Sequence, residues 1–204
     1  MKIIFLGAPG AGKGTQADLI SRKLGIPTIS TGVIIREAIK NGTEMGVRAE
    51  KFIEKGQLVD DDTVISIIKE RLMKSDCTNG FILDGFPRTV PQAAALEAMG
   101  VSIDSVIAIE VPDDEICERM SGRRVCSACG ASYHITNNPS KDGKTCDLCS
   151  TELSVRSDDA PDVVRARLAV YHKQTEHLVS YYLERGKLKS VSANGSIEAT
   201  RELV

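Results

Sequence analysis

The N-terminus of the chain places a short apolar run, Lys2–Leu6, directly before a glycine-rich loop at residues 7–15 (GAPGAGKGT). Glycines let several backbone N–H groups converge on one anion, and the dipole of a helix that starts there strengthens the attraction. The apolar run is typical of a buried parallel strand, so we expect a strand, a phosphate-binding loop and then a helix. Lys13 can reach the β and γ phosphates of a nucleotide, and Thr15 a phosphate oxygen or Mg²⁺.

The alternation of strand and helix patterns continues along most of the chain. Apolar runs predict strands and apolar residues at helical spacing predict helices, with three aspartates (60–62) supplying the N-cap and negative charge of one helix. The predicted strands are residues 2–6, 28–30, 81–84, 105–111 and 188–191. The predicted helices are residues 13–24, 33–41, 46–55, 60–74, 91–99, 113–119, 161–185 and 196–203. This order predicts an α/β fold with a five-stranded, parallel, doubly wound core.

Two Cys-x-x-Cys pairs interrupt this pattern in a segment, residues 123–159, that has almost no apolar side chains. The 16 residues between the pairs suit a tetrahedral Zn²⁺ site, and four cysteines leave no position for a catalytic water. A segment without a core of its own needs the metal for folding. The predicted ligands are Cys126, Cys129, Cys146 and Cys149. Free thiols are the alternative, and iron or cobalt can replace zinc in such a site.

Composition and charge argue against several classes of protein. The net charge is −2, from 26 basic and 28 acidic residues, which gives no basic excess for nucleic acid and no polybasic membrane anchor. No stretch reaches the ~18 apolar residues of a membrane span, and the start of the chain lacks the features of a signal peptide. We therefore expect a cytoplasmic protein, in which six cysteines favour metal or free thiols over disulfides.

Loop motifs and arginines at the ends of the predicted strands indicate a phosphate-rich ligand. Residues 30–32 (STG) and 84–89 (DGFPRT) follow or end strands, and ligands of open α/β sheets bind at the carboxyl ends of strands. Guanidinium groups bind phosphate oxygens through two parallel hydrogen bonds and keep their charge. The arginines at loop or insert edges are Arg36, Arg88, Arg119, Arg123, Arg156 and Arg167.

Together these motifs resemble the adenylate kinase family. The matching stretches are GAPGAGKGTQA, STG, NGFILDGFPRT, RMSGRRVC, VRSDD and VRARLAVYH, which extend over essentially the whole chain. The resemblance is closest to the bacterial long-lid form with a zinc-binding lid. It implies reversible phosphoryl transfer, ATP + AMP = 2 ADP, with Mg²⁺, by a monomer. It also implies a phosphate-loop core (1–29, 60–121 and 160–204), a small helical AMP-binding insert (30–59) and a zinc-ribbon-like lid (122–159).

The same resemblance implies particular residues for each nucleotide. On the ATP side they are Gly10, Ala11, Gly12, Lys13, Gly14, Thr15, Arg119, Arg123, Ser132, Tyr133 and Gly195. On the AMP side they are Thr31, Arg36, Gln57, Leu58, Val59, Gly85, Phe86, Pro87, Arg88, Gln92, Arg156 and Arg167. The residues expected to act on the transferring phosphoryl group are Lys13, Arg88, Arg123, Arg156 and Arg167, with Asp84 holding Mg²⁺ through a water.

The chemistry of these residue types agrees with the implied reaction. The phosphate of AMP has a second pKa near ~6 and is largely ionised at pH 7, so it attacks without a general base. Catalysis then requires two polyanions held in line and charge neutralisation by Lys, Arg and Mg²⁺. The amide of Gln92 carries a donor and an acceptor that can read an adenine edge. Closure of the lid would exclude water, which competes as a phosphoryl acceptor.

Two alternatives remain open from the sequence. Another nucleoside monophosphate kinase, for UMP, CMP or GMP, would share the phosphate loop and the DGFPR motif, although the long four-cysteine lid, Thr31 and Gln92 favour AMP. A zinc-ribbon binding module that uses ATP as a switch would need a basic surface, but lysines and aspartates balance between residues 141 and 147. One departure from the family pattern is Val33, where an aspartate is usual, and a weaker Mg²⁺ dependence or a lower rate is expected.

Overall fold

The computed structural model describes residues 1–193 and 195–204. Its strands are β1 (Lys2–Leu6), β2 (Thr28–Ser30), β3 (Phe81–Asp84), β4 (Ser105–Glu110), β5 (Arg123–Cys126), β6 (Ser132–His134), β7 (Leu153–Ser154) and β8 (Leu188–Ser192). Its α-helices are α1 (Lys13–Leu24), α2 (Thr31–Lys40), α3 (Glu44–Ile53), α4 (Asp61–Leu72), α5 (Val90–Ala98), α6 (Asp113–Ser121), α7 (Pro161–Val170), α8 (His177–Glu184) and α9 (Ile197–Leu203). None of the helices in these two ranges is both long and apolar enough to cross a membrane.

Five of the strands form one parallel sheet in the order β2-β3-β1-β4-β8. The central strand β1 pairs Lys2 with Phe81 of β3 on one side and Ile3 with Ser105 of β4 on the other. The chain fills the sheet on one side of β1 and then crosses to the other side, which puts helices on both faces. The predicted five-stranded, parallel, doubly wound core is confirmed.

Side chains of the sheet alternate between two apolar layers, as the period of two residues in a strand requires. Ile4 and Leu83 belong to a buried cluster that includes side chains of α4, α5 and α8. Ile3, Phe5 and Ile82 belong to a second buried cluster, which includes side chains of α1. Because both faces are covered, the inner strands β1, β3 and β4 are nearly continuous apolar runs in sequence. The bounds of all five strands agree with the predicted ones to within one residue.

Two segments lie outside this layered core. After β2, the helices α2 and α3 pack against each other, and a side chain at Gly46 would collide with the backbone of Ala38, so glycine permits the close approach. The Thr43 side chain caps α3 by accepting a hydrogen bond from the Gly46 N–H at 3.1 Å. Further along the chain, β5, β6 and β7 form a separate antiparallel sheet in the order β6-β5-β7, which carries the first cysteine pair and its flanking residues.

The predicted helix over residues 161–185 is interrupted in the structure. A π-helical turn, Tyr171–Thr175, separates α7 from α8. Thr175 is buried in this turn and donates its hydroxyl to the carbonyl oxygen of Arg88 at 2.8 Å. Such turns occur often at functional sites. The predicted helical segment is therefore present, but it contains a π-helical turn that the apolar spacing did not indicate.

Candidate functional site

A cavity of about 1310 Å³ opens at the carboxyl ends of the central strands. Its floor is the glycine-rich loop between β1 and α1. Its walls include α2, the loop after β3, and parts of β5 and β6 from the small antiparallel sheet. The cavity therefore joins three parts of the chain, at the place where doubly wound sheets bind ligands.

The glycine-rich loop surrounds the amino group of Lys13. The Lys13 Nζ donates to the carbonyl oxygens of Gly7 and Ala8, each at 2.8 Å. Burial lowers the pKa of Lys13 to about 8, although Asp84 acts in the opposite direction. A Cβ at Gly7, whose φ is +142°, would lie 2.5 Å from the carbonyl oxygen of Ile109, so the loop needs glycine there. A buried ammonium group in such a loop is suited to phosphate oxygens, whose negative charge would favour its protonated form.

Two buried aspartates hold three arginines where the small sheet joins the core. Arg123 donates to Asp159 through Nε, at 2.8 Å, and through Nη2. Arg156 donates to Asp158 in the same two-pronged manner, again with Nε at 2.8 Å. Arg167 Nη1 lies 3.1 Å from Asp158 Oδ2 and 3.6 Å from Asp159 Oδ1. The carboxylates fix the directions of three guanidinium groups but neutralise only part of their charge.

The arginines clustered at the centre of the cavity make that part of it positively charged at pH 7. Burial lowers the pKa of Arg36 and of Arg167 to about 10, and repulsion from neighbouring arginines contributes to the lowering. Burial acts to raise the pKa of Asp158, but the hydrogen bond from Arg156 and the charges around it hold that pKa at about 2. These groups all stay ionised at neutral pH. Arginines that repel one another around an open cavity favour a polyanion between them.

The loop after β3 folds back on itself between α2 and α5. Thr31 Oγ1 and Arg88 Nε both donate to the carbonyl oxygen of Gly85, each at 2.8 Å. Gln92, in the first turn of α5, accepts a hydrogen bond from the Arg88 N–H and donates one to Asp61, again each at 2.8 Å. These contacts place a hydroxyl, a guanidinium group and an amide on one wall of the cavity.

Arg119 lies on the other side of the glycine-rich loop. It donates to Glu115 Oε1 at 2.5 Å and to the carbonyl oxygen of Ala193, and its Nη1 is 3.5 Å from the carbonyl oxygen of Ala11. The guanidinium group is thereby fixed on the cavity wall, which Gly195 also lines. A planar cation in such a position can stack on an aromatic base.

The four cysteines form one cluster on the small sheet. Their Sγ atoms all lie within 4.8 Å of one another, with Cys126 and Cys149 3.4 Å apart and Cys129 and Cys146 3.5 Å apart. Four thiolates around Zn²⁺, each at ~2.3 Å, stand about 3.8 Å from one another. The cysteines are not joined by disulfides. The cluster therefore fits a tetrahedral zinc ion.

Tyr133 connects this cluster to the cavity. Its hydroxyl lies 3.5 Å from Cys146 Sγ and accepts a hydrogen bond from the Asp147 N–H at 2.9 Å. The hydrogen bond from Tyr133 lowers the pKa of Cys146. Tyr133 also lines the cavity, so the part of it left for a ligand is its ring and backbone rather than its hydroxyl.

Known relatives decide the family. The profile of the family described as adenylate kinase matches residues 5–187 of the chain. A protein named adenylate kinase from Caldicellulosiruptor saccharolyticus is 52% identical, in an alignment covering 100% of this chain and 97% of that protein. Another, from Lachnospira eligens, is 54% identical over 94% of this chain and 92% of its own length. The chain belongs to the adenylate kinase family. The expectation drawn from its motifs is confirmed.

Nearly all of the residues expected to bind nucleotides in an adenylate kinase lie on this one cavity. All those expected on the ATP side line it, and so do those expected on the AMP side apart from Phe86. The Phe86 side chain is fully buried and belongs to the apolar cluster that contains Ile4. Its ring therefore packs the loop after β3 from beneath. The individual roles of these residues toward ATP and AMP stay predictions.

Four carboxylates of this adenylate kinase site were missed by reasoning from the sequence. They are Asp158 and Asp159, which orient the arginines, Glu115, which holds Arg119, and Asp61, which binds Gln92. The aspartate pair stands two residues after Arg156 in the VRSDD stretch, and this adjacency was the available signal. Asp61 was interpreted only as a charge at a helix N-terminus, and nothing local indicates a partner on another helix.

Proposed function

We propose that the protein transfers a phosphoryl group reversibly between ATP and AMP, giving two ADP. The observation that carries this proposal is the meeting of Lys13, Arg88, Arg156 and Arg167 on one cavity, between the glycine-rich loop and the loop after β3. The cavity, about 1310 Å³, exceeds the ~300–1,000 Å³ typical of a pocket for one small ligand. Its size and its two ends support two nucleotides that face each other.

The glycine-rich loop is proposed as the ATP end. There Gly10–Thr15 backbone N–H groups would bind the phosphates, Lys13 would lie at the β and γ phosphates, and Arg119 would stack on the adenine. The AMP end is proposed between α2 and α5. There Thr31, Arg36 and Arg88 would bind the phosphate, and residues 57–59 and Gln92 would bind the base.

Catalysis would come from position and charge. The ionised AMP phosphate needs no general base, so no histidine or carboxylate has to accept a proton. Arg123, Arg156 and Arg167 would neutralise charge as the phosphoryl group moves. Because aspartates already fix their directions, little reorganisation is required when that charge develops. Mg²⁺ bound with ATP supplies further neutralisation, and Asp84, whose Oδ2 is 3.3 Å from Ser30 Oγ beside the loop, would hold it through water.

The chain is proposed to work as three units. These are a phosphate-loop core (1–29, 60–121 and 160–204), an AMP-binding insert (30–59) and a lid (122–159) that carries Zn²⁺ in a structural role. Lys40 Nζ of the insert lies 3.3 Å from the carbonyl oxygen of Ser127 in the lid, which supports a closed arrangement over the cavity. Closure would keep water away from the transferring phosphoryl group.

The proposed partners are ATP, AMP and ADP, and the protein is proposed to act as a cytoplasmic monomer. The near-balanced charge of −2 supports the absence of nucleic acid and of an anionic membrane surface among its partners. Light scattering coupled to size exclusion tests the monomer. A mass of 22.0 kDa is expected, and a stable dimer would overturn this part of the proposal.

The first experiment is an assay of ADP formation from Mg²⁺-ATP, with AMP, CMP, UMP and GMP compared as acceptors at equal concentration. A strong preference for AMP is expected. Transfer to a pyrimidine nucleotide or to GMP at a higher rate would move the protein to another nucleoside monophosphate kinase. Metal analysis of the purified protein should give one zinc per chain, and a content near zero with full activity would contradict the structural role of zinc.

A further inference from the structure

We propose that Asp61 is a positioning residue that fixes the direction of the Gln92 amide and so makes the acceptor pocket select a 6-aminopurine over a 6-oxopurine. The inference rests on the proposed function, because it takes Gln92 as a residue that touches the acceptor base. It goes beyond that function by assigning the choice of base to a carboxylate that does not itself line the cavity.

Hydrogen bonds hold both the nitrogen and the oxygen of the Gln92 amide. Gln92 is buried, with 1% of its surface exposed. Its Nε2 donates to Asp61 Oδ1 on α4 at 2.8 Å. Its Oε1 accepts from the Arg88 N–H in the loop after β3, also at 2.8 Å. The two partners come from different elements, so the amide cannot turn without losing both contacts.

The chemistry of the two partners permits only one orientation. A carboxylate can only accept hydrogen bonds, so it must face the nitrogen of the amide. A backbone N–H can only donate, so it must face the oxygen. Rotation of the amide by half a turn would set Oε1 against the Asp61 carboxylate and Nε2 against the Arg88 N–H. Both new contacts would be repulsive, and the groups would be left buried without partners.

The anchors of the amide are themselves held in place. The second oxygen of Asp61 accepts from Thr89 Oγ1 at 3.0 Å, and Thr89 Oγ1 in turn accepts from the Gln92 N–H at 3.3 Å as the N-cap of α5. The Arg88 carbonyl accepts from Thr175 Oγ1, in the π-helical turn, at 2.8 Å. Asp61, Thr89 and Gln92 therefore form a closed ring of hydrogen bonds, which resists local rearrangement.

Gln92 is one of the residues that line the cavity. An amide nitrogen carries two N–H groups and its oxygen two lone pairs, so after these two contacts one N–H and one lone pair are left for a base, in a fixed order. An amide in this state pairs with adenine, which presents a ring nitrogen as acceptor beside a 6-amino donor. A 6-oxopurine presents the reverse order, a ring N–H beside a carbonyl oxygen. The fixed amide would then place its N–H against the ring N–H and its oxygen against the carbonyl oxygen, and both contacts are repulsive. Sites that leave buried polar groups unpaired reject the wrong substrate strongly.

A simpler role for Asp61 is to stabilise α4 by placing negative charge in its first turn. Asp62 shares that helical role, and it is exposed where Asp61 is half-buried. The pair therefore offers a matched comparison. Asp61→Asn and Asp62→Asn remove the same charge from the same turn of helix, but only the first changes a group bonded to Gln92.

The test measures kcat and KM with AMP and with inosine monophosphate as acceptors, for the wild-type protein and both variants. Asp61→Asn is expected to raise the KM for AMP about fivefold, to leave kcat within about threefold, and to lower the AMP-to-IMP ratio of kcat/KM at least about tenfold. Asp62→Asn should leave that ratio unchanged. If the two variants lower the melting temperature equally and neither alters the ratio, Asp61 is only a helix-stabilising charge and the inference is wrong.

A second test uses only the wild-type protein, so the result does not depend on whether a variant folds. Calorimetry compares the binding of AMP, IMP and purine riboside monophosphate, which has no substituent at position 6. A fixed amide predicts that affinity falls from AMP to the unsubstituted purine and then to IMP. The unsubstituted purine only lacks one hydrogen bond to the amide, whereas IMP presents a donor to the amide N–H and an acceptor to the amide oxygen. An amide that is free to turn would bind IMP more tightly than the unsubstituted purine, and that order would overturn the inference.

Gln92→Ala separates failure of this inference from failure of the proposed function. A variant whose KM for AMP equals that of the wild type would show that the acceptor base binds elsewhere, and the proposed site would be wrong. A raised KM in Gln92→Ala, together with an unchanged AMP-to-IMP ratio in Asp61→Asn, would overturn the role of Asp61 and leave the site intact.

Discussion

The proposed phosphate-loop core and the proposed cysteine-bearing lid line the same cavity, but different interactions stabilise them. In the core, the strands bury side chains such as Ile4, Ile82 and Val106 completely. Between residues 123 and 155, all of them described, only Cys126, Ser140 and Cys146 are buried. Burial of apolar surface stabilises the first region, whereas the second depends on the cysteine cluster and on hydrogen bonds. The two regions should therefore unfold under different treatments.

The difference extends to what each region brings to the proposed reaction. The core supplies groups held rigidly by the sheet, above all Lys13 in its loop. The lid supplies Arg123 and Arg156 at its two edges, where the chain enters and leaves it. With the proposed division, a rigid floor and a movable cover would suit a site that binds phosphates firmly but must also open for exchange of nucleotides.

The largest expected effect is a loss of activity without a loss of stability, from Lys13→Met in the core. Removal of the ammonium group should lower kcat/KM about a thousandfold, because it takes away a preorganised charge at the phosphates. The melting temperature should not fall, since burial of this lysine opposes its charged form. Lys23→Met, an exposed change on the same helix, is the control for both measurements. A variant that melts much earlier would show that the lysine holds the loop together.

Sequence patterns predicted the core better than the site, for a physical reason. Strands buried on both faces are nearly continuous apolar runs, so the bounds of β1 and β3 were predicted correctly from hydrophobicity. The glycine-rich loop was also predicted, because its chemistry is local. The π-helical turn within residues 161–185 contains Thr175, whose hydrogen bond to the carbonyl oxygen of Arg88 joins residues 87 positions apart. Periodicity within one helix cannot reveal it.

The same limit applies to the carboxylates of the site. The arginines could be proposed one at a time, because each stands beside a recognisable loop. The roles of Asp158 and Asp159 emerge only when β5, α7 and the segment between them are brought together. Asp61 is still harder to predict, since its charge already has an adequate local explanation at the start of α4. When a residue has both a local role in its own helix and a contact with a distant side chain, the sequence indicates only the local role.

Removal of the metal is the second way to separate the two regions. Prolonged treatment of the protein with a strong chelator should unfold the lid and leave the core, because the lid has almost no apolar side chains to bury. The expected result is a separate, earlier thermal transition and a fall in transfer rate of about a hundredfold. The ratio of ATP hydrolysis to transfer should rise, because water then reaches the site.

Two variants serve as controls for the metal. Cys146→Ser should reproduce the effect of the chelator, whereas Cys117→Ser, which alters an exposed thiol outside the cluster, should not. A chelated protein with one unchanged thermal transition and its full rate would show that the lid folds on hydrogen bonds alone, and the contrast between the two regions would then disappear.

A smaller effect is expected where the two regions join, from Asp158→Asn. The depressed pKa of Asp158, about 2 against an ordinary 3.8, means that its ionised form stabilises the folded state. The contribution, about 2 kcal/mol, is present above the ordinary pKa and is lost as the pH falls through 2. Denaturant titrations should therefore show the variant less stable by about this amount at pH 7, with the difference shrinking in acid.

The control is Asp162→Asn, which breaks an exposed pair with Arg165 and should lower the stability by less than about 0.5 kcal/mol. Equal losses in both would mean that the buried aspartate has no special role.

The smallest expected effect is a fraction of a proton taken up when nucleotide binds to the core. Free Lys13, with its pKa lowered to about 8, is mostly charged at pH 7 and increasingly neutral above pH 8. Phosphates would raise that pKa, so binding must draw protons from the buffer, and the affinity for ATP should fall by at most about tenfold per pH unit above pH 8. Calorimetry at pH 8.5 in two buffers of different ionisation enthalpy measures the uptake, and Lys13→Met should abolish this contribution.

Chelation of the lid metal should leave the proton uptake unchanged, since the titrating group belongs to the core. Uptake that vanished with the lid would place the proton on a group there, and the division of roles between the two regions would have to be redrawn.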